Sequence, residues 1–93
     1  MSGDSNTVYI GRKPIMNYVL AVITNFNSSD TKDVTIKATG QAISAAVDGA
    51  EIVSRRFMKD LKVSDVTIGT EEMQQQEGGI RNVSTIEIKL ARD

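Results

Sequence analysis

The chain has 93 residues, of which 40% are hydrophobic and 25% charged, and its formal net charge is −1. That length suits one small domain with a modest core, so an oligomer that buries further apolar surface is expected. With neither cysteine nor histidine, disulfides and thiol chemistry are excluded, and the commonest general base and metal ligand are missing.

Residues Met1 to Asn6 are small and polar and read as a disordered N-terminus. Thr7 to Ile10 reads as a first strand, ending at Gly11. Arg12 and Lys13 follow, then Pro14, where a helix can start without losing a hydrogen bond. Two fixed cations therefore stand at a strand-to-helix corner, beside a helix N-terminus that itself attracts anions. The helix from Pro14 to about Asn25 is apolar almost all round and is expected to be largely buried. Its apolar run from Ile15 to Ile23 is too short to cross a bilayer, and no cationic leader precedes it. Neither a membrane span nor a signal peptide is expected, and the cytoplasm is the default location.

The segment Asn27-Ser28-Ser29-Asp30 is a loop by composition, and Val34 to Ala38 is a short strand with Lys37 near its end. Gly40 opens a second helix. Along it Ile43, Val47, Ala50, Val53 and Phe57 fall at helical spacing and form one apolar stripe. Glu51 and Arg55, four apart, are in the favoured order for an exposed ion pair. Asp60 to Lys62 ends this helix.

Val63 to Met73 reads as a strand with Val66 and Ile68 on one face. Val83 to Leu90 alternates, with Ile86, Ile88 and Leu90 on one side and Thr85, Glu87 and Lys89 on the other. Between them, Gln74 to Arg81 with Gly78-Gly79 suits the tip of an extended hairpin, an arm spanning roughly 70–85. The order is β-α-β-α-β-β. Right-handed crossovers make the first three strands parallel, and the hairpin reverses the fourth. The expected fold is a two-layer α/β (α+β) sandwich, with two helices on one face of a four-stranded mixed sheet, as a single domain over 7–93.

Nothing in this pattern suggests catalysis. Glu71 and Glu72 are adjacent in a strand and face opposite sides. Asp48 and Glu51, three apart on a helix, suggest ion pairing in the absence of histidine. Gly78-Gly79 lacks the spacing of a nucleotide fingerprint. No catalytic residue, metal, cofactor or small-molecule substrate is expected.

The words Gly11-Arg12-Lys13-Pro14-Ile15-Met16-Asn17-Tyr18-Val19 resemble the opening of the archaeal chromatin proteins of the Alba family. The resemblance continues through Lys37-Ala38-Thr39-Gly40-Gln41-Ala42-Ile43-Ser44, Ala46-Val47-Asp48, Glu51 to Phe57, and Val83 to Ile88. It implies a fold akin to the C-terminal domain of translation initiation factor three. It also implies a homodimer that binds duplex DNA, or RNA, without enzymatic activity, and an archaeal nucleoid-associated location. In the family the cation pair touches the nucleic-acid backbone, and one of the two lysines is acetylated. Here the first is Arg12, which leaves Lys13 as the acceptor for that modification. Phe57, flanked by Arg56, occupies the position of contacts between dimers along DNA.

The same resemblance makes Lys37, Thr39 and Gln41 candidates for the binding face, with Arg81 and Asn82 at the arm tip. For Lys37, and for the tip, an ordinary exposed side chain is as good a reading. Typical members carry arginine where this chain has Thr39 and Gln41, and lysine where it has Ala45. A nucleic-acid-binding domain is usually basic, whereas the sequence pI here is about 5.4. That balance leaves two alternatives to duplex DNA binding. One is an RNA-binding member of the family, recognising shape more than charge. The other is an acidic protein-interaction module.

Overall fold

The computed structural model describes residues 6–28 and 31–92. Within them the elements are β1 (Thr7–Tyr9), α1 (Ile15–Ser28), β2 (Asp33–Thr39), a 3₁₀ turn (Gly40–Ala42), α2 (Ile43–Ile52), a π-helical turn (Val53–Phe57), β3 (Leu61–Gln74) and β4 (Ile80–Arg92). The expected order holds. Apart from Asn6, the N-terminal segment read as disordered lies outside the described residues. So do Ser29 and Asp30 of the expected loop, whereas Asn27 and Ser28 belong to α1.

The sheet order is β1-β2-β4-β3. β1 runs parallel to β2, and β4 lies between β2 and β3, antiparallel to both. The first three strands therefore share one direction and β4 opposes them, as the crossover rule requires. Alternation along β4 divides the sheet into two faces. Ile86, Ile88 and Leu90 are buried against the helices, opposite Ala38, Ile36 and Val34 of β2. Thr85, Glu87 and Lys89 face the uncovered side, opposite Thr39, Lys37 and Thr35.

β3 contains an irregularity at Ser64, which is passed over between the pairs Val63↔Leu90 and Asp65↔Lys89. The extra residue resets the alternation of the strand. As a result Leu61 and Val63 before it, and Val66 and Ile68 after it, all share the helix-side face.

The helices cover that face unevenly. α1 packs on β1 and β2, and α2 packs on β2 and β4. α1 buries Tyr18, Val19, Val22 and Phe26 but leaves Met16 and Leu20 exposed. The helix expected to be largely buried is thus buried along one side, with part of its apolar surface left exposed. In a two-layer sandwich a helix touches the sheet along one side, and among the described residues nothing covers Met16 and Leu20 on the other.

The α2 stripe is also corrected. Its buried side is Ala46, Gly49, Ala50 and Val53, while Val47 and Phe57 are exposed. Small residues let the helix lie close to the sheet, which turns Val47 outward. The π-helical turn, closed by an N–H to carbonyl bond from Met58 to Val53 of 2.8 Å, inserts an extra residue and rotates Phe57 away from the core.

The far end of α1 is fastened to β4. The Arg92 guanidinium lies 5.4 Å from the Phe26 ring centroid and donates to the Phe26 carbonyl at 3.3 Å. At the other end of the molecule, β2 passes into the 3₁₀ turn through Gly40 at φ +56°. A side chain is strained there, and a Cβ would also meet Val83 at 3.4 Å. Replacing Gly40 with Ala should lower the unfolding free energy by about 1–2 kcal/mol, the cost of a left-handed non-glycine residue. Urea denaturation of the two proteins measures it, and equal midpoints with equal slopes would contradict the assignment.

Candidate nucleic-acid interface

Topology brings one set of candidate residues to a single end of the sheet. β1 and β2 are parallel, so Gly11 to Lys13, which follow β1, and Thr39 to Gln41, which end β2, leave the sheet on the same side. The Ile10 amide donates to the Lys37 carbonyl at 2.9 Å and ties the two exits together. Both helices begin at this end. Neither Thr39 nor Ala42 caps the helical segment that follows it with a side-chain bond. The site thus collects two positive helix poles as well as side-chain cations.

The hairpin extends beyond the same end. β2 pairs with β4 as far as Thr39↔Thr85, while β3 and β4 continue through five further pairs, Thr70↔Ser84 to Gln74↔Ile80. At about 3.4 Å per residue that arm projects roughly 17 Å. Its tip is closed by bonds from the Gln75 amide to the Gly79 carbonyl (3.2 Å) and from the Gly78 amide to the Gln75 carbonyl (3.1 Å). Gly78 and Gly79 have φ of +92° and +89°.

The cations at this end differ in state. Arg12 and Lys13 are exposed, and neither has an ion-pair partner among the described residues. They line an open concavity with Tyr9, Ile10, Gly11 and Tyr18. Lys37, by contrast, lies on the uncovered sheet face with its Nζ 3.8 Å from Glu87 and 4.0 Å from Glu71. On the same face Lys89 pairs with Asp33 at 3.6 Å. Asp33, Glu71 and Glu87 thus hold the sheet-face lysines, and among the described residues no carboxylate pairs with the corner cations. Glu51 and Arg55 pair at 3.1 Å on the exposed side of the second helix.

Arg81 and Asn82 are neighbours on β4, opposite Met73 and Glu72. They point to opposite faces of the arm, so a single groove can face only one of them. Thr39 is half-buried and Gln41 exposed, while Ala45 is packed partly against the core. Phe57 is 52% exposed, but with Arg56 it sits at the C-terminal end of the second helix. That is the opposite end of the molecule from Arg12 and Lys13, and the fold does not bring the two groups together. Sequence reasoning missed the Glu71 and Glu87 partners of Lys37. The alternation of β4 placed Glu87 on the open face, but the strand order that sets it beside Lys37 was not readable.

The Alba family model matches residues 6–70. The chain belongs to the Alba family. It is 56% identical over 87 residues to DNA/RNA-binding protein Alba 1 of Archaeoglobus fulgidus, covering 94% of this chain and 96% of the relative. It is 53% identical over 85 residues to DNA/RNA-binding protein Alba of Methanococcus maripaludis, covering 91% and 96%. Among solved structures, Alba from Thermoplasma volcanium superposes with a TM-score of 0.87 at 47% identity, covering 94% of this chain and all of the other. ALBA1 from Trypanosoma brucei, at 24% identity and a TM-score of 0.75, shares the fold. No helix among the described residues is long and apolar enough to cross a membrane.

Replacing Glu71 and Glu87 together with Gln should free Lys37. Because the pairs are partly exposed, stability should change by no more than about 1 kcal/mol per pair. Retention on heparin should increase beyond that of a charge-matched control, Asp48→Asn with Glu72→Gln. Equal retention of the two variants would mean that Lys37 is not masked by its neighbours.

Proposed function

We propose that this Alba protein binds duplex DNA without enzymatic activity, as a homodimer, chiefly through the phosphate backbone. The observation that carries the reading is the Arg12–Lys13 corner, without an ion-pair partner among the described residues and set beside two helix N-termini at the end from which the arm projects. Cations without internal partners are free to displace counterions from a polyanion. The relatives' names add DNA and RNA as the ligand class. Arg12 and Lys13 would supply the main phosphate contacts. Thr39 and Gln41 would donate neutral hydrogen bonds, which position without releasing counterions. Arg81 or Asn82 would follow a groove from the arm, and Lys37 would contribute only after leaving its carboxylates. Lys13 is the one residue of the corner open to acetylation. An archaeal nucleoid-associated location follows from this function.

The dimer reading rests on apolar surface that the chain leaves uncovered. Val63, Val66 and Ile68 lie on the helix-side face of β3 beyond the reach of α2, Ile68 at 77% exposure, with Val47 also exposed on α2. Full burial of such a side chain contributes about 1.5–3 kcal/mol, enough for several together to hold two protomers. Exposed Phe57, at the end remote from the corner, would support further contacts between dimers along DNA.

Static light scattering at micromolar protein should give twice the chain mass of 10.1 kDa; a monomer mass would remove the dimer from this reading. With duplex DNA, Arg12→Ala with Lys13→Ala removes four charges from a dimer. The slope of log K against log salt should then fall by up to about 3.6, at about 0.9 per phosphate neutralised. An unchanged slope would locate binding elsewhere. Adding Thr39→Arg and Gln41→Arg should raise affinity severalfold at moderate salt and steepen the slope, and wild-type behaviour would exclude those positions from the interface. Tighter binding of structured RNA than of duplex DNA at equal salt would favour the RNA reading. No binding of either at low salt would favour an acidic protein-interaction module.

A further inference from the structure

Tyr18 is placed to control the shape of the cation corner. It lies in the first turn of α1 with only 8% of its surface exposed. Its hydroxyl nevertheless reaches back out of the helix to the loop before Pro14. The hydroxyl oxygen accepts two backbone hydrogen bonds, from the Gly11 and Lys13 amides, each at 2.9 Å. The residue between those amides is Arg12. Two amides converging on one oxygen curl the loop around it, and Arg12 between them is exposed.

Gly11 fits the same arrangement. Its φ is not positive, so its backbone conformation is open to any residue. The obstacle is local: a Cβ at Gly11 would lie 3.2 Å from the Tyr18 hydroxyl. What an added side chain would crowd there is the Tyr18 oxygen, which would have to give by a few tenths of an ångström.

We propose, building on the nucleic-acid-binding reading above, that Tyr18 is a positioning residue for phosphate recognition. Its buried ring anchors in the core, and its hydroxyl holds Gly11 to Lys13 in the conformation that presents Arg12 and Lys13 to the backbone. A loop already ordered in the free protein loses less conformational freedom on binding, so the same cations bind more tightly.

The experiment compares wild type, Tyr18→Phe, Gly11→Ala and the double variant. Affinity for a duplex oligonucleotide is measured by fluorescence anisotropy at several salt concentrations, and amide exchange in the free proteins by NMR. Tyr18→Phe keeps the ring and every charge. It should weaken binding about tenfold, or about 1.4 kcal/mol, with the salt slope unchanged, unlike the loss of Arg12 and Lys13. The Gly11 and Lys13 amides should exchange faster, while those of Val19 and Val22 stay protected. Gly11→Ala should weaken binding in the wild-type background and have little effect in the Tyr18→Phe background, because the oxygen it meets is gone.

Wild-type affinity in Tyr18→Phe would overturn the proposal, as would additive effects in the double variant. So would a loss of affinity accompanied by equal loss of protection at Val19 and Val22. If wild-type protein itself bound no duplex, the functional reading would fail instead, and amide exchange would still report whether the hydroxyl orders the loop.

Discussion

The last strand of the chain is the middle of its sheet. β4 pairs with β2 on one side and β3 on the other, and its residues Ile86, Ile88 and Leu90 are buried in the core, where β4 carries α2 while α1 rests on β1 and β2. Nearly every other feature depends on this placement. β2 and the edge strand β3 are joined only through β4, so the sheet cannot close until the whole chain is present. The pairing is also strongly non-local, which favours slow folding relative to helical proteins of this size. Because β3 and β4 run past the end of β2, the central strand also becomes one leg of the arm. Core and arm are thus a single ladder, and the arm inherits its orientation from the buried part of β4.

Within this frame, net charge is a poor guide to binding. The chain carries one more acid than base, yet acids and bases are sorted by position. Asp33, Glu71 and Glu87 sit on the uncovered sheet face beside Lys37 and Lys89. Arg12 and Lys13 stand at a corner whose backbone is held by the Tyr18 hydroxyl. Over distances beyond a screening length of about 8–10 Å, acids elsewhere on the surface do little to cancel those cations at ordinary salt. An acidic protein can therefore offer a local cationic site, with weaker long-range attraction than a basic homologue provides.

Much of the fold was legible because its signals are local and periodic. The alternation of Thr85 to Leu90 marked both faces of β4, Pro14 marked the start of α1, and Gly78-Gly79 marked the hairpin turn. The corner cations were legible as adjacent residues between a strand and a helix. What stayed hidden depends on neighbours distant in sequence. The outward face of α1 could not be separated from its inward face, because Met16 and Leu20 are as apolar as Val19 and Val22. The buried side of α2 is built from Ala46, Gly49 and Ala50, and residues that small make a weak hydrophobic signal. The partners of Lys37 come from strands more than thirty residues away, and the hydroxyl contact of Tyr18 looks in sequence like one more core aromatic.

The irregularity at Ser64 has a consequence for how such a molecule can change over generations. Along the arm, Arg81 faces one side and Asn82 the other because each is held in register with Met73 and Glu72. Inserting or deleting a single residue in β4 between the base of the arm and Arg81 would transpose the two and present the opposite chemistry to whatever the arm embraces. Matched pairs, one residue added to each leg and then another, would restore the facing. Ser64 is a place near the base where the chain already absorbs one unmatched residue without disturbing the tip. Arm length can therefore drift by even increments, while odd increments require a compensating bulge, so the geometry of the ladder filters which insertions a lineage can keep.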